Sequence, residues 1–234
     1  MLINGQECTF THHTKNKLKN KSDAFKAFIR SAEFPCVGAK SASVRDQIAV
    51  HEFRDISATD EDHCLYSALT SYISKLERNC PTVQSFAAIF SNITLMNERT
   101  FERYLWKRLQ CLHDIDAQNG EGWDNRTTSD PASPHFSFSI AGESFFVIGL
   151  HPNASRPARR FSHPTLVFNS TEQFSRLRED GRSGVMQKVI RIRDAALAGS
   201  INPMLDDYGR SSEARQYSGR KVQDNWTAPF HLAS

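Results

Sequence analysis

Cys36 is the first residue whose type and setting suggest chemistry. The segment Phe34–Ala39 reads Phe-Pro-Cys-Val-Gly-Ala, so a rigid residue precedes the thiol and Gly38 follows two positions later. Gly38 lacks the Cβ that would keep a large flat group away from the backbone. A thiolate here could bind heme iron on its proximal side and favour O–O cleavage. The alternative is that Cys36 is a small buried hydrophobic residue, as most free cysteines are.

His151 is the second candidate. It ends the most apolar stretch of the chain, Phe145–Leu150, and is followed by Pro152. Because proline stops strand pairing, we expect His151 at a strand end, where side chains reach clefts. A neutral imidazole there could be an axial or distal heme group, or a general base. The alternative is a histidine that only hydrogen-bonds a backbone carbonyl.

The loop that follows His151 is strongly basic. Arg156, Arg159 and Arg160 fall within five positions, and Pro157 stiffens the segment. The planar guanidinium groups suit carboxylate or phosphate oxygens, so they could bind heme propionates or a substrate carboxylate. A solvated basic loop is the alternative.

Two further segments carry candidate binding groups. The third predicted helix ends near His113 and Asp114, where a charged histidine is favoured by the helix dipole without any function. The functional alternative is that Asp114 or Asp116 meets a cationic substrate. The stretch Tyr208–Tyr217 is interpreted as a flap over a cleft, and an exposed tail is the alternative.

The composition is that of an ordinary globular protein. The chain has 234 residues, 39% of them hydrophobic and 24% charged, with a net charge of +3. This charge is too small to indicate nucleic-acid binding, and no apolar stretch approaches the roughly 20 residues that span a membrane. Five cysteines without a C-x-x-C pair indicate a reduced, cytoplasmic protein. The sequence also lacks the common phosphate-loop, dinucleotide, zinc-protease and hydrolase motifs.

The elements that must position these residues are a mixture of helices and strands. Helices are predicted from Ser22, between Asp60 and Arg78, from Phe101 to His113, from Asn169 with a capping box at Glu172, and around Val185, Val189 and Ile192 up to Gly199. Strands are predicted at Phe86–Phe90, Phe136–Ile140, Phe145–Leu150 and Thr165–Phe168. We therefore expect an α+β fold: a single mixed αβ domain whose central, partly antiparallel sheet is flanked by helices. Residues 1–21 are expected to be a flexible basic arm and residues 22–234 the domain.

Several blocks of the sequence resemble the YqcI/YcgG family. They are Phe34–Ala42, Gly149–Phe161, Thr165–Asn169, Asn202–Leu205 and Ser212–Arg220. The resemblance extends from Phe34 to about Phe230 and is strongest to the branch that includes the guanitoxin-pathway N-hydroxylase, a heme-dependent enzyme acting on a guanidine nitrogen.

This resemblance implies heme b, dioxygen, an electron donor and an arginine-like substrate with a guanidino or amino group. It favours Cys36, with Gly38 beside it, as the heme-iron ligand and His151 as the alternative ligand. Residues of suitable type are available for the other roles. Those for cofactor binding are Arg156, Arg159 and Arg160, and those for substrate binding are Asp114, Asp116, Glu213 and Arg215. Those for catalysis are His151, His113 and Tyr217. A homodimer is among the expectations. The alternatives are a non-catalytic heme-binding or heme-sensing protein, and a protein without heme whose arginine loop binds an anionic metabolite.

Overall fold

The computed structural model of the protein describes residues 14–92, 96–206 and 209–232, with the backbone alone for residues 14–20. Within these residues the strands are β1 (Ile48–Phe53), β2 (Ser85–Phe90), β3 (Phe138–Ile140), β4 (Glu143–Leu150) and β5 (Thr165–Ser170). The helices are α1 (Thr14–Arg30), α2 (Val37–Val44), α3 (Asp62–Ile73), α4 (Glu98–Gln118), α5 (Thr171–Glu179), α6 (Arg182–Ala198) and α7 (Ala214–Tyr217). A 3₁₀ turn, Pro157–Arg159, lies between β4 and β5.

The five strands form one mixed sheet in the order β1-β2-β5-β4-β3. β1 and β2 are parallel, and the other three neighbouring pairs are antiparallel. The protein is therefore a single α+β domain with helices flanking a partly antiparallel sheet, as the sequence predicted.

The sheet buries side chains on both of its faces. Alternate residues of β2 show the division: Phe86, Ala88 and Phe90 belong to one core cluster, and Ala87 and Ile89 to the other. The first cluster includes side chains of α3, α4 and the C-terminal segment, and we call this side the α4 face. The second includes side chains of α1 and α2, and we call it the α2 face.

The predicted hairpin is confirmed as β3 and β4. Ala141 and Gly142 connect the strands, with φ values of 47° and 69°. Positive φ at both central residues is typical of a type I′ turn, whose twist matches that of paired strands. The predicted strands at β2 and β5 are also present.

The N-terminal boundary differs from the prediction. α1 begins at Thr14, so residues 14–21 belong to a helix rather than to an arm. Lys21 forms an ion pair with Glu52 of β1, which ties this part of α1 to the sheet edge. The remainder of the predicted arm, residues 1–13, lies outside the described residues.

Two other predicted helix boundaries were wrong. α4 continues past His113 to Gln118, because Ile115 and Asp116 keep its buried face in the core. The expected capping box at Asn169 does not form: β5 runs on to Ser170, and the Asn169 side chain accepts a hydrogen bond from Ser85 at 2.7 Å. β5 lies between β2 and β4, so pairing on both sides extends the strand through the position at which a helix was expected.

The predicted last helix is confirmed as α6, and Gly199 ends it with a φ of 72°. Its apolar residues do not all face inward. Val185 and Ile192 are 68% and 70% exposed, whereas Met186 and Ile190 of the same helix line a cavity.

Candidate functional site

The candidate site is a partly open cavity of about 220 Å³ between α5, α6 and the segment that leads into α7. Phe146, Phe174 and Met186 supply the apolar wall, and the charged lining residues are Glu213, Asp206, Arg178 and Arg191. A small number of charged groups in a mainly apolar cavity is the usual form of a small-molecule site. A larger depression of about 740 Å³ over the start of α4 is open to solvent and offers no comparable enclosure.

Glu213 is positioned by the turn that starts α7. Ser212 donates to the Pro131 carbonyl at 2.7 Å and accepts from the Ala214 amide, which fixes this turn against the loop before β3. The Glu213 carboxylate accepts a hydrogen bond from Ser137 at 3.2 Å. Burial raises the pKa of Glu213 to about 7, although Ser137 and the charge of Arg178 act in the opposite direction. The carboxyl group therefore changes charge near neutral pH.

The two arginines of the cavity come from the helices opposite Glu213. Arg178, in the last turn of α5, donates to Ser175 at 2.8 Å, and Arg191 lies in the middle of α6. A half-buried carboxyl group in the wall of a cavity that also holds charged and apolar side chains can receive a polar small molecule.

Cys36 lies beside this cavity, on the α2 face. It is the N-cap residue of α2, and its Sγ accepts the Ala39 amide at 3.4 Å. Burial raises the pKa of the thiol, and the backbone N–H groups of Ala39 and Gly38 lower it by less. A Cβ at Gly38 would lie 3.4 Å from the Met186 sulfur and 3.9 Å from the Cys36 sulfur. Met186 thus connects the cysteine to the cavity.

His151 lies on the other side of the sheet. Its ring is fully buried and stacks on Phe101 of α4, with centroids 4.4 Å apart. Burial lowers its pKa, so the imidazole is neutral, and both ring nitrogens are without a hydrogen-bond partner. Because His151 lies on the α4 face and Cys36 on the α2 face, the sheet separates the two predicted iron ligands. The structure does not bring them together.

The three loop arginines bind protein groups. Arg156 forms an ion pair with Asp194 of α6 and donates to the Ser200 carbonyl. Arg160 donates to the carbonyls of Ala154 and Ser155 within its own loop.

Arg159 crosses to the C-terminal segment. Its guanidinium group donates to the carbonyls of Gly149, Gln216 and Tyr217 at 3.0–3.3 Å. Burial lowers the pKa of Arg159 to about 10. These contacts close the loop and join it to α7 and α6.

The predicted acidic group on α4 is apart from the cavity. Asp116 accepts hydrogen bonds from Tyr66 at 2.8 Å and from the Ala141 amide at 3.0 Å, so it ties α3 and the hairpin turn to α4. Asp114 accepts from Gln110 of the same helix. His113 packs against the rings of Trp123 and Phe230, and burial lowers its pKa.

Of Glu213, Arg215 and Tyr217, the described C-terminal residues predicted for binding or catalysis, Glu213 lines the cavity and the other two do not. Tyr217 is fully buried; its hydroxyl accepts from the Phe138 amide and donates to the Phe145 carbonyl, which joins β3 to β4. Arg215 donates to Asp224. Tyr208, part of the predicted flap, lies outside the described residues.

The sequence reasoning missed Phe174, Arg178, Met186 and Arg191. The available signal was the four-residue spacing of Phe174 and Arg178 in α5 and of Met186 and Ile190 in α6. That spacing places each pair on one side of its helix, but it does not show that the two sides face each other.

Among the described residues, no group of three or more histidine, cysteine, aspartate or glutamate side chains is arranged to hold a metal ion. Of the cysteines among the described residues, Cys36, Cys80 and Cys111 are free, and Cys64 is disulfide-bonded, so the expectation of an entirely reduced chain fails at Cys64. In the described part of the chain, the helices are too short or too polar to span a membrane.

Fold and site together define an α+β domain with a small, partly open charged cavity close to a cysteine-capped helix. The chain belongs to the YqcI/YcgG family, whose model matches residues 25–231. Neither the curated proteins nor the solved structures contain a match to it.

Heme is the cofactor that the resemblance implies, and the two candidate ligands differ in how well their surroundings fit it. At Cys36 the atom nearest to the open side of Gly38 is the sulfur of Met186, the end of a flexible side chain. At His151 the packing is closed: a Cβ on neighbouring Gly149 would approach Phe101 to 2.5 Å. The cavity suits an amino acid in size, so a porphyrin at Cys36 requires Met186 to move. Cys36 does not line the cavity, and the residues around Cys36 and around His151 do not fit a heme as they stand.

Proposed function

We propose that this protein is a heme-dependent monooxygenase that N-hydroxylates a guanidino or amino group of an arginine-like molecule. The observation that carries the proposal is the half-buried carboxyl group of Glu213, which lines one cavity together with Arg178, Arg191 and Met186, and the Met186 sulfur lies close to Gly38, two residues after Cys36. In this proposal the guanidino group of the substrate binds ionised Glu213, whose charge Arg178 compensates only in part.

In this proposal Cys36 would hold the iron through its sulfur as the thiolate, the form that burial of the thiol disfavours in the free protein. Bound heme supplies dioxygen activation, which a guanidinium needs because its lone pairs are delocalised. One oxygen atom enters the new N–O bond, and the other leaves as water with two electrons and two protons from an external donor.

The chain's own residues bind and orient the substrate. Glu213 accepts hydrogen bonds from the guanidinium group, and the apolar walls formed by Phe146 and Phe174 keep water away from it. Because ionised Glu213 is the binding form, uptake of the cation releases a proton from Glu213 below about pH 7. Binding therefore weakens as the pH falls from 8 to 6.

A cytoplasmic location, a separate electron donor and a homodimer belong to the same proposal, as does the absence of a nucleic-acid partner. The small net charge of +3 supports the last of these.

The test uses protein purified from heme-supplied cells. We expect a Soret band, and turnover of L-arginine with a reductant and dioxygen to a product heavier by one oxygen atom. Glu213→Gln should keep the Soret band and reduce kcat/KM at least tenfold, because a neutral amide cannot pair with a cation. Glu179→Gln, at the exposed end of α5, is the matched control and should leave both unchanged.

Three results would count against the proposal. Absence of a Soret band would show that the protein does not bind heme. A Soret band without turnover of any guanidino or amino compound would favour heme binding or sensing. A Glu213→Gln enzyme with full activity would show that the cavity does not take part in the reaction. The ligand is tested separately: Cys36→Ala should change the carbon monoxide difference spectrum, and His151→Ala should not.

A further inference from the structure

β1 is the edge strand of the sheet, and its outer side meets no other strand in the described part of the chain. It pairs in parallel with β2 alone, from Ile48 to Phe53. A groove of about 680 Å³ borders β1 and is also lined by residues of α1 and α3. Because α1 lies on the α2 face and α3 on the α4 face, a groove that touches both helices lies at the outer edge of the sheet. The backbone N–H and C=O groups of such an edge can pair with one more strand.

Cys64 lines this groove and is disulfide-bonded. The chain contains five cysteines, and the free ones among the residues that the structure describes are Cys36, Cys80 and Cys111. The fifth, Cys8, belongs to residues 1–13, which lie outside the described residues. Within a single chain, Cys8 is therefore the cysteine that remains as the partner of Cys64.

The start of α1 lies toward the end of β1. Lys21 of α1 forms an ion pair with Glu52 in the last part of the strand, and Lys26 forms one with Asp46, just before the strand begins. α1 therefore runs antiparallel to β1. Because a helix rises 1.5 Å per residue, Thr14 lies about 10 Å further along the helix axis than Lys21, in the direction in which β1 ends.

Cys64 lies at the same end of β1. The Arg54 amide, directly after the strand, donates a hydrogen bond at 2.5 Å to Glu61, the N-cap residue of α3, and Cys64 follows in the first turn of that helix. Five residues separate Cys8 from Thr14. An extended stretch of this length spans about 20 Å. The chain before α1 is therefore long enough to bring Cys8 to Cys64.

The sequence before α1 has the pattern of a short strand. In Cys8-Thr9-Phe10-Thr11 a β-branched residue alternates with a sulfur-containing or aromatic one. In a strand, Cys8 and Phe10 would share one face. A strand fixed through Cys8 would therefore direct Phe10 to the same side, and the groove offers the apolar side chains of Ala68 and Phe53.

We infer that residues 1–13 bind in the groove at the outer edge of β1 and are held there by a disulfide bond between Cys8 and Cys64. Reduction of this bond takes two electrons and two protons from a dithiol reductant, leaves two thiols, and exposes the edge of β1 to other strands. The inference does not rest on the proposed function.

The first measurement identifies the bond. The full chain is purified without reductant, its free thiols are blocked, and it is digested with trypsin for mass spectrometry. We expect the peptide of residues 1–15 to be linked to that of residues 55–75, and the two to separate after reduction with dithiothreitol. A free Cys64, or a link from Cys64 to any cysteine other than Cys8 of the same chain, would overturn the inference.

The second measurement shows whether the segment occupies the groove. The amides of β1 that do not bind β2 should exchange at least tenfold more slowly in the oxidised wild type than in Cys8→Ser, because a paired strand protects them from water. Cys8→Ser removes the bond without replacing a residue of the described core. Cys80→Ser replaces a free, half-buried cysteine and is the matched control, which should keep the slow exchange.

Equal exchange of β1 in the oxidised wild type and in Cys8→Ser would overturn the placement of residues 1–13 in the groove, even with the disulfide present. Protection of β1 that disappears on dilution of the protein would assign the edge to a second copy of the chain instead. Neither measurement depends on heme binding or turnover, so failure of the inference and failure of the proposed function are separate results.

Discussion

At the residue scale, Glu213 is a carboxyl group whose ionisation is made unfavourable by its place in the cavity wall. Its pKa is raised to about 7 because the loss of hydration on burial disfavours the carboxylate more than the hydrogen bond from Ser137 and the charge of Arg178 favour it. A carboxyl group whose pKa is higher in the folded than in the unfolded state stabilises the fold at low pH. That stabilisation is lost as the pH rises from about 4.5 to 7. At neutral pH the ionised carboxylate therefore destabilises the free protein, and a bound cation offsets this loss of stability.

The first prediction concerns stability. Replacing Glu213 by Gln removes the buried charge and keeps the shape, so the variant should be more stable than the wild type at pH 8, by about 2 kcal/mol. At pH 5 the two proteins should be nearly equal, because Glu213 is then mostly protonated. Urea unfolding at both pH values measures this difference. A gain of the same size at pH 5 and pH 8 would show that the charge is not its cause, and Glu179→Gln should show no gain at either pH.

At the element scale, the end of β4 depends on how closely α4 packs against it. Gly149 allows Phe101 and Leu105 to contact the strand backbone, because a Cβ there would lie 2.5 Å and 2.9 Å from these side chains. The same approach brings Phe101 over His151. A glycine near the end of an apolar strand is therefore explained by a helix that packs closely against it.

The second prediction follows from this contact. Gly149→Ala should destabilise the protein by about 1–3 kcal/mol, because α4 has to move or its side chains have to leave their preferred rotamers. Gly184→Ala in α6 is the opposite control: no atom lies within 4 Å of the added carbon, so it should be neutral or stabilise by up to about 1 kcal/mol. Denaturant midpoints measure both. Equal effects at the two positions would contradict this account of β4.

At the scale of the whole molecule, Arg159 joins parts of the chain that are far apart in sequence. Its hydrogen bonds connect the end of β4 to α7, and its side chain packs within 3.3 Å of the position of a Cβ on Gly219. α7 in turn carries Tyr217 into the core and Glu213 into the cavity. The loop that the sequence marked as a ligand site is thus also the attachment of the C-terminal segment.

The third prediction tests this attachment. Arg159→Met keeps much of the volume but leaves three carbonyl groups without their donor, so we expect a loss of about 3 kcal/mol in stability. Amide hydrogen exchange should become faster mainly in residues 212–222. Arg160→Met is the control, because Arg160 is exposed and bonds only to its own loop among the residues described. Faster exchange spread evenly over the chain, with no excess in residues 212–222, would contradict the proposed role of Arg159.

The local pattern of the sequence was sufficient for most elements of the fold. Alternation and a short turn predicted the hairpin of β3 and β4, helical spacing predicted α3, α4 and α6, and the mixture predicted an α+β domain. The residues at which the helices and strands end were harder to predict from the sequence. β5 continues past Asn169 because two strands pair with it, and α4 continues past Asp114 because Asp116 has partners on α3 and on the hairpin turn. Those partners are distant in sequence, so no local pattern contains them.

What the sequence by itself determined is which residues carry chemistry: a cysteine held between proline and glycine, a histidine after an apolar strand, a group of arginines and an acidic residue near the C-terminus. Only the tertiary structure decided which of them meet. It places Cys36 and His151 on opposite faces of the sheet, pairs Arg156 with Asp194, and brings Glu213 opposite Arg178 and Arg191. The physical reason is that side-chain type is local, whereas burial, charge pairing and the space for a ligand arise from packing between segments that the sequence keeps apart.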